Sequence, residues 1–288
     1  MYQITGHTRF GGLLGSPVAH SLSPAMHNYS FMTLGIDAVY LAFEVGTGKI
    51  GETVRVFRDL NAYGFNLTMP VKKKVMEYLD HVTEAADLIG AVNTVVNENG
   101  ALTGYNTDGI GFVRSVREHG YEPEGKEVTV FGAGGAASAL SVQLALDGVK
   151  KLHLVSRRSA SFEAARDLAD RISSRTGCSA DLTDLADEAG VGRCLGDSSL
   201  VVNATSVGMA PKEDASVLHD PSLLHPGLCV ADVIYHPRKT KLMMQAEEAG
   251  CSTIGGLDML LFQGAEAFRL WTGKQMPVEQ VKERFFKL

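Results

Sequence analysis

Cysteine is scarce, with four residues in 288 (Cys178, Cys194, Cys229 and Cys251) and no CxxC pair among them. That argues against a disulfide-stapled scaffold, and no histidine spacing suggests zinc, so no metal site is expected. The thiols read as small buried side chains in a reducing compartment. Cations are in deficit, with 27 Lys and Arg against 33 Asp and Glu and a formal net charge of −6. Nucleic acid is therefore not an expected partner, because phosphate binding needs clustered cations. No apolar run reaches the roughly 18 residues of a membrane span. The opening MYQITGHTRFGG also lacks the charged-then-apolar pattern of a signal peptide. The expectation is a cytoplasmic protein with no membrane partner. Internal repeats and low-complexity segments are absent from the sequence too.

What is there is ordinary globular material, 45% hydrophobic and 21% charged, in a length that suits two compact domains. Short apolar runs alternate with amphipathic stretches, the signature of an α/β protein with largely parallel strands. In the first part, Gly11–Gly15, Ala38–Val45, Gly64–Leu67 and Val92–Val96 read as strands, and Pro24–Leu34, Lys49–Leu60 and Lys72–Tyr78 as helices. Asp108–His119 reads as a helix leading out of this region, followed by the polar loop YEPEGK. Beyond it, Glu127–Phe131, Lys151–Val155, Leu200–Asn203 and Leu228–Val233 read as strands; Ala139–Leu146, Ser161–Ser173 and Lys239–Ala249 read as helices. An amphipathic C-terminal segment, Asp258–Thr272, holds the single tryptophan and suits a helix that returns to the first domain. The expected division is 1–108, 109–256 and 257–288.

The run Gly132-Ala133-Gly134-Gly135-Ala136 lies between a strand and a helix. Glycine there permits a tight turn and a close backbone approach to a pyrophosphate, which the helix N-terminus attracts. This marks residues 109–256 as a Rossmann-type, doubly wound dinucleotide domain. After the next strand come Ser156, Arg157 and Arg158, where an NAD site usually carries a carboxylate. Guanidinium groups suit a ribose 2′-phosphate instead, so NADP is the expected cofactor, with NAD possible.

Polar clusters in the first part are denser than packing requires: HSLSPAMHN (20–28), NLTMPVK (66–72), GAVNT (90–94) and GYNTDG (104–109). With VNATSVGM (202–209), DVIYHP (232–237) and GGLDMLLFQGAEAF (255–268), they resemble the shikimate dehydrogenase family over nearly the whole chain, in its order and at its spacing. The resemblance implies that the first domain binds substrate. By the same resemblance, Ser21 and Ser23 hold its carboxylate, while Asn93, Asp108 and Gln263 bind ring hydroxyls. Asn66 and Thr68 line the same region, and Tyr235 falls in a substrate motif. Ser23 also suits a helix N-cap ahead of Pro24. Lys72 and Asp108 match the catalytic pair, with Lys72 moving the proton as hydride moves. Thr205, Ser206, Met209, Val233 and Gly256 match positions around the cofactor.

The expected activity is reversible oxidation of shikimate to 3-dehydroshikimate in the aromatic amino-acid pathway, by a monomer or homodimer. The sequence departs from the family at Ser156-Arg157-Arg158 and in the longer segment after it. Its ending looks closer to the quinate/shikimate branch, whose members use quinate and NAD as well, whereas Asn66-Leu67-Thr68 keeps the shikimate-specific pattern. A non-catalytic dinucleotide sensor is the remote alternative.

Overall fold

The structure, a computed structural model, describes residues 4–286. The outermost residues of the expected segments 1–108 and 257–288 lie outside that range. Contacts divide the chain into two compact units: residues up to Thr107 together with the chain from Leu261, and Asp108–Leu260. Among the described residues, no helix is long and apolar enough to cross a membrane.

The first unit runs β1 (Arg9–Gly15), α1 (Ser23–Thr33), β2 (Ala38–Glu44), α2 (Ile50–Asp59), β3 (Gly64–Leu67), a 3-10 turn (Lys74–Tyr78), β4 (His81–Val82), α3 (Glu84–Ile89), β5 (Thr94–Glu98) and β6 (Ala101–Tyr105). Its sheet has the order β2-β1-β3-β5-β6-β4. The β2-β1-β3 half is parallel, as the alternation suggests, but β3-β5 and β5-β6 are antiparallel. The difference arises at Asn99-Gly100, whose φ values of 54° and 94° close β5 on β6 in a two-residue hairpin. The helix expected from Lys72 is shorter than its pattern suggests. The Lys72 carbonyl accepts the Val92 N–H (2.9 Å), and the Met76 N–H goes to Lys73, so only a 3-10 turn forms.

Helix α2 buries Ile50, Val54 and Phe57, one stripe at helical spacing. The stripe joins Leu14, Phe65, Leu67, Val71, Val75, Val92 and Val95 in one core. Glycine in β1 serves close packing: a Cβ on Gly11 would run into the Tyr63 ring and the Gly64 carbonyl.

The second unit runs α4 (Asp108–Glu118), β7 (Glu127–Phe131), α5 (Gly135–Leu146), β8 (Lys151–Ser156), α6 (Ala160–Arg175), β9 (Ser179–Asp184), α7 (Glu188–Asp197), β10 (Leu200–Asn203), β11 (Cys229–Asp232), α8 (Lys241–Glu248) and β12 (Ser252–Ile254). Every neighbouring pair in the order β12-β11-β10-β7-β8-β9 is parallel, the doubly wound arrangement expected. The interior strands β10 and β11 are buried throughout, which is why they read as apolar runs. Helix α9 (Leu257–Thr272) begins in this unit and continues in the first, where the Trp271 indole donates to the Val95 carbonyl (3.0 Å). A last short helix, α10 (Val278–Val281), follows.

Candidate functional site

In the second unit, β7 delivers the chain into Gly132, whose φ of 122° suits glycine. A Cβ there would also stand 3.0 Å from the Ala204 carbonyl oxygen. Gly134 then precedes α5 in an extended conformation, and neither it nor Gly135 has a neighbour within 4 Å of an added Cβ. The turn and the β8 tip border a cavity of about 520 Å³ lined by Gly132, Ala133, Gly134, Ser156, Arg157, Thr205 and Ser206, among others. That volume lies within the usual range for small-molecule sites. An open glycine turn before a helix N-terminus, with an arginine at the next strand's tip, fits a dinucleotide carrying a ribose phosphate.

The two arginines of the tip differ. Arg157 borders the cavity, whereas Arg158 sends Nε to Asp184 Oδ2 (2.7 Å) and stands over the Phe162 ring at 5.6 Å. The Ala186 N–H, with Arg158 adding to it, holds the Asp184 carboxyl below its ordinary pKa against the opposing effect of burial. Gly135 and Ala136 open α5 beside the cavity. Met209 is exposed, and Val233 and Gly256 meet apart from the cavity lining, where a Cβ on Gly256 would collide with the Val233 carbonyl. Ser159, Ser161, Lys212 and His219 also line the cavity and belong to no motif that marks them in the sequence.

The loops after β10 and β11 are tied by a buried pair that sequence reading does not single out. Asn203 donates to Asp232 Oδ2 (3.0 Å) and to the Val207 carbonyl (3.1 Å), and accepts from the Thr205 hydroxyl (2.7 Å). Asp232 also accepts from Ile234 N–H (3.0 Å) and from the Thr240 hydroxyl (2.8 Å). Burial raises the Asp232 pKa; the Asn203, Ile234 and Thr240 donors oppose it. The VNATS and DVIYHP motifs thus carry the scaffold that presents Thr205 and Ser206. Tyr235 follows β11 and is exposed, and Asp108 is the half-buried first residue of α4.

In the first unit, several expected substrate residues meet in one buried polar network. The Asn66 amide donates to Thr94 Oγ1 (2.9 Å) and to the Asn93 carbonyl (3.1 Å), and its Oδ1 accepts from Tyr40 Oη (2.7 Å). Asn93 donates to Thr107 Oγ1 (3.0 Å), and its Oδ1 accepts the Thr107 N–H (2.8 Å). The Ser23 hydroxyl bonds Tyr40, whose pKa burial raises well above the ordinary value.

Ser23 does not cap α1. It is the first helical residue, Leu22 precedes it without a side-chain cap, and the Ser23 N–H goes to Ser21 Oγ (3.2 Å). Thr68 is half-buried at the end of β3, with its N–H on the Leu14 carbonyl (2.9 Å). Lys72 is half-buried in the following turn, and its carbonyl accepts the Val92 N–H just ahead of Asn93 and β5. Gln263 is half-buried on α9, next to Gly264, where a Cβ would collide with Met26 of α1.

His27, one helical turn after Ser23, escapes the sequence reading as anything beyond part of a motif. It is wholly buried, stacked on Tyr40 at 4.6 Å and on Phe268 at 6.2 Å, and neither ring nitrogen has a hydrogen-bond partner. Burial drives its pKa down to about 3.

Comparison with known proteins fits this geometry. Residues 13–95 match the shikimate dehydrogenase substrate binding domain, and residues 256–284 match the shikimate 5′-dehydrogenase C-terminal domain. A shikimate dehydrogenase (NADP(+)) of Listeria monocytogenes serotype 4b is 47% identical over 99% of this chain and 98% of its own. A quinate/shikimate dehydrogenase of Escherichia coli strain SMS-3-5 is 44% identical over 97% of each. The crystal structure of shikimate 5-dehydrogenase from Listeria monocytogenes in complex with shikimate and NAD superposes with a TM-score of 0.97 at 47% identity, covering 98% of each chain. By identity along its full length and by fold, the chain belongs to the shikimate dehydrogenase family.

Proposed function

We propose that the chain is an NADP-linked shikimate dehydrogenase that interconverts shikimate and 3-dehydroshikimate in the cytoplasm, on the route to aromatic amino acids. The observation that carries this reading is the buried network joining Ser23, Tyr40, Asn66, Thr94, Asn93 and Thr107. It fixes hydroxyl and amide groups on one rigid scaffold, the mixed donor set that a polyhydroxylated ring acid demands. Ser21 and Ser23 hold the substrate carboxylate, and Asn93 and Gln263 hold ring hydroxyls, with Thr68 beside them; Asp108 and Tyr235, in the second unit, keep the substrate roles that their family motifs give them. Asn66, whose amide is already committed inside the chain, positions Asn93.

Gly132 to Ala136, with Ser156, Arg157, Thr205 and Ser206, hold the dinucleotide, and Met209, Val233 and Gly256 lie toward its nicotinamide end. When bound, the dinucleotide supplies the hydride acceptor or donor. In the oxidative direction Lys72 Nζ takes the hydroxyl proton as the hydride leaves the ring carbon; in reduction it returns that proton. Arg157 binds the 2′-phosphate, and Arg158, engaged with Asp184, supports the tip.

A second reading, a quinate/shikimate dehydrogenase using NAD, has the 44% identity to the Escherichia coli enzyme in its favour. Initial rates with shikimate and quinate, each against NADP⁺ and NAD⁺, separate the two. The proposal expects shikimate with NADP⁺ to give the highest kcat/KM by at least tenfold. Equal or better rates with quinate and NAD⁺ would replace it with the second reading, and no reduction in any combination would discard both.

A further inference from the structure

Alternation along β7 sets Glu127 and Thr129 on one face of the second sheet. The parallel register continues that face across the neighbours, pairing Thr129 with His153 of β8 and His153 with Asp181 of β9. The end of α7 covers it: Thr129 Oγ1 donates to the Cys194 carbonyl (3.1 Å) and shares a hydrogen bond with the Ser198 hydroxyl (2.8 Å). Glu127 is the first residue of β7, whereas the glycine turn follows its last, so this stripe lies at the opposite end of the strand.

His153 is only 4% exposed, and its two ring nitrogens are treated differently. Nδ1 stands 3.0 Å from Asp181 Oδ1. A carboxylate there keeps a hydrogen on Nδ1, so Nε2 is the nitrogen that would give up its proton to bind an ion. Nε2 is buried and makes no close hydrogen bond, with Glu127 Oε2 at 3.5 Å. Lys150 holds Glu127 through the other oxygen, Oε1, at 2.9 Å. Donor atoms of Glu127, His153 and Asp197 all lie within 4.8 Å of one another.

We propose that Glu127, His153 and Asp197 bind a divalent transition-metal ion, with Asp181 orienting the imidazole. One imidazole nitrogen and two carboxylates suit zinc, cobalt or manganese better than magnesium, which favours all-oxygen octahedral shells. The ion joins the starts of β7 and β8 to the end of α7, so its effect is on stability and not on dinucleotide binding. The ligands sit on three separate elements, at positions 127, 153 and 197, which no short sequence spacing reveals. The rival occupant is a proton: the Cys194 thiol first, then Asp181, raise the His153 pKa to about 9 against the opposing effect of burial.

The test uses the full chain without an affinity tag, stripped with chelator, then titrated with Zn²⁺ by calorimetry and with Co²⁺ by visible absorption. The expected result is one ion per chain and a higher thermal midpoint. His153→Gln should abolish binding, and Asp197→Asn, which removes a ligand, should weaken it by more than the roughly 10- to 100-fold typical of an outer-shell loss. Asp197 is exposed, so its variant serves even if His153→Gln fails to fold. No uptake at millimolar Zn²⁺ overturns the proposal in favour of a buried imidazolium. Undiminished affinity in the folded Asp197→Asn variant overturns it as well.

Discussion

Tyr40 Oη donates a 2.7 Å hydrogen bond to Asn66 Oδ1, with Tyr40 wholly buried and Asn66 nearly so. One sheet residue thereby orients another whose amide reaches Thr94 and Asn93. Tyr40→Phe keeps the ring and removes the donor, leaving a buried acceptor short of its partner. The expected cost is about 1–3 kcal/mol of stability, read from the denaturant midpoint. KM for shikimate should rise with it, while KM for the dinucleotide stays put.

Lys72 carries the proton in the proposed reaction. Lys72→Ala should lower kcat by on the order of 10²–10⁴ and leave dinucleotide affinity within error. Steady-state rates together with a dinucleotide titration check this. Near-normal turnover removes Lys72 from the proton path.

The two arginines of the β8 tip should separate on substitution. Arg157→Ala should raise KM for NADP by about tenfold or more, the scale of losing charge-assisted hydrogen bonds, and leave KM for NAD nearly unchanged. Arg158→Ala should have the smaller effect on NADP, because its guanidinium is already engaged by Asp184. Equal losses in the two variants would mean that Arg158 turns to the phosphate as well.

His27 makes stability fall in acid. Burial lowers its pKa from 6.5 to about 3, so between those values the unfolded chain binds a proton that the folded chain refuses. The His27 contribution is therefore complete above about pH 6.5 and is lost progressively as pH drops through that window. Denaturant midpoints at pH 7 and pH 5 should differ less in His27→Phe than in the parent chain, provided the variant folds with an unchanged circular dichroism spectrum. An unchanged difference assigns the acid sensitivity to other groups.

Much of this fold is readable in the sequence, and what escapes does so for physical reasons. The buried strands of the second sheet are continuous apolar runs, and the Gly132 turn marks itself by composition. Strand β9, SADLTD, hides because it is a partly exposed edge strand rich in polar residues. Strand β6 is marked by Asn99-Gly100, a strong hairpin signal that turns the far half of the first sheet antiparallel, where apolar alternation alone suggests parallel strands. The site motifs are visible as polar clusters, but their internal division of labour is not. Nothing local tells Arg157 from Arg158, or reveals that Asn203 and Asp232, 29 residues apart, share a hydrogen bond. His27 looks like a polar member of its motif, and only the aromatic rings packed around it show that it is core.

The most direct measurement follows the fate of the hydride. Shikimate deuterated at the oxidised ring carbon is incubated with the enzyme and NADP⁺, and the reduced dinucleotide is examined by mass spectrometry and NMR. The expected result is deuterium on the nicotinamide ring, one per turnover, alongside 3-dehydroshikimate. Label released to solvent, or unlabelled substrate recovered with no reduced dinucleotide, would contradict direct transfer between the two ligands and with it the proposed function.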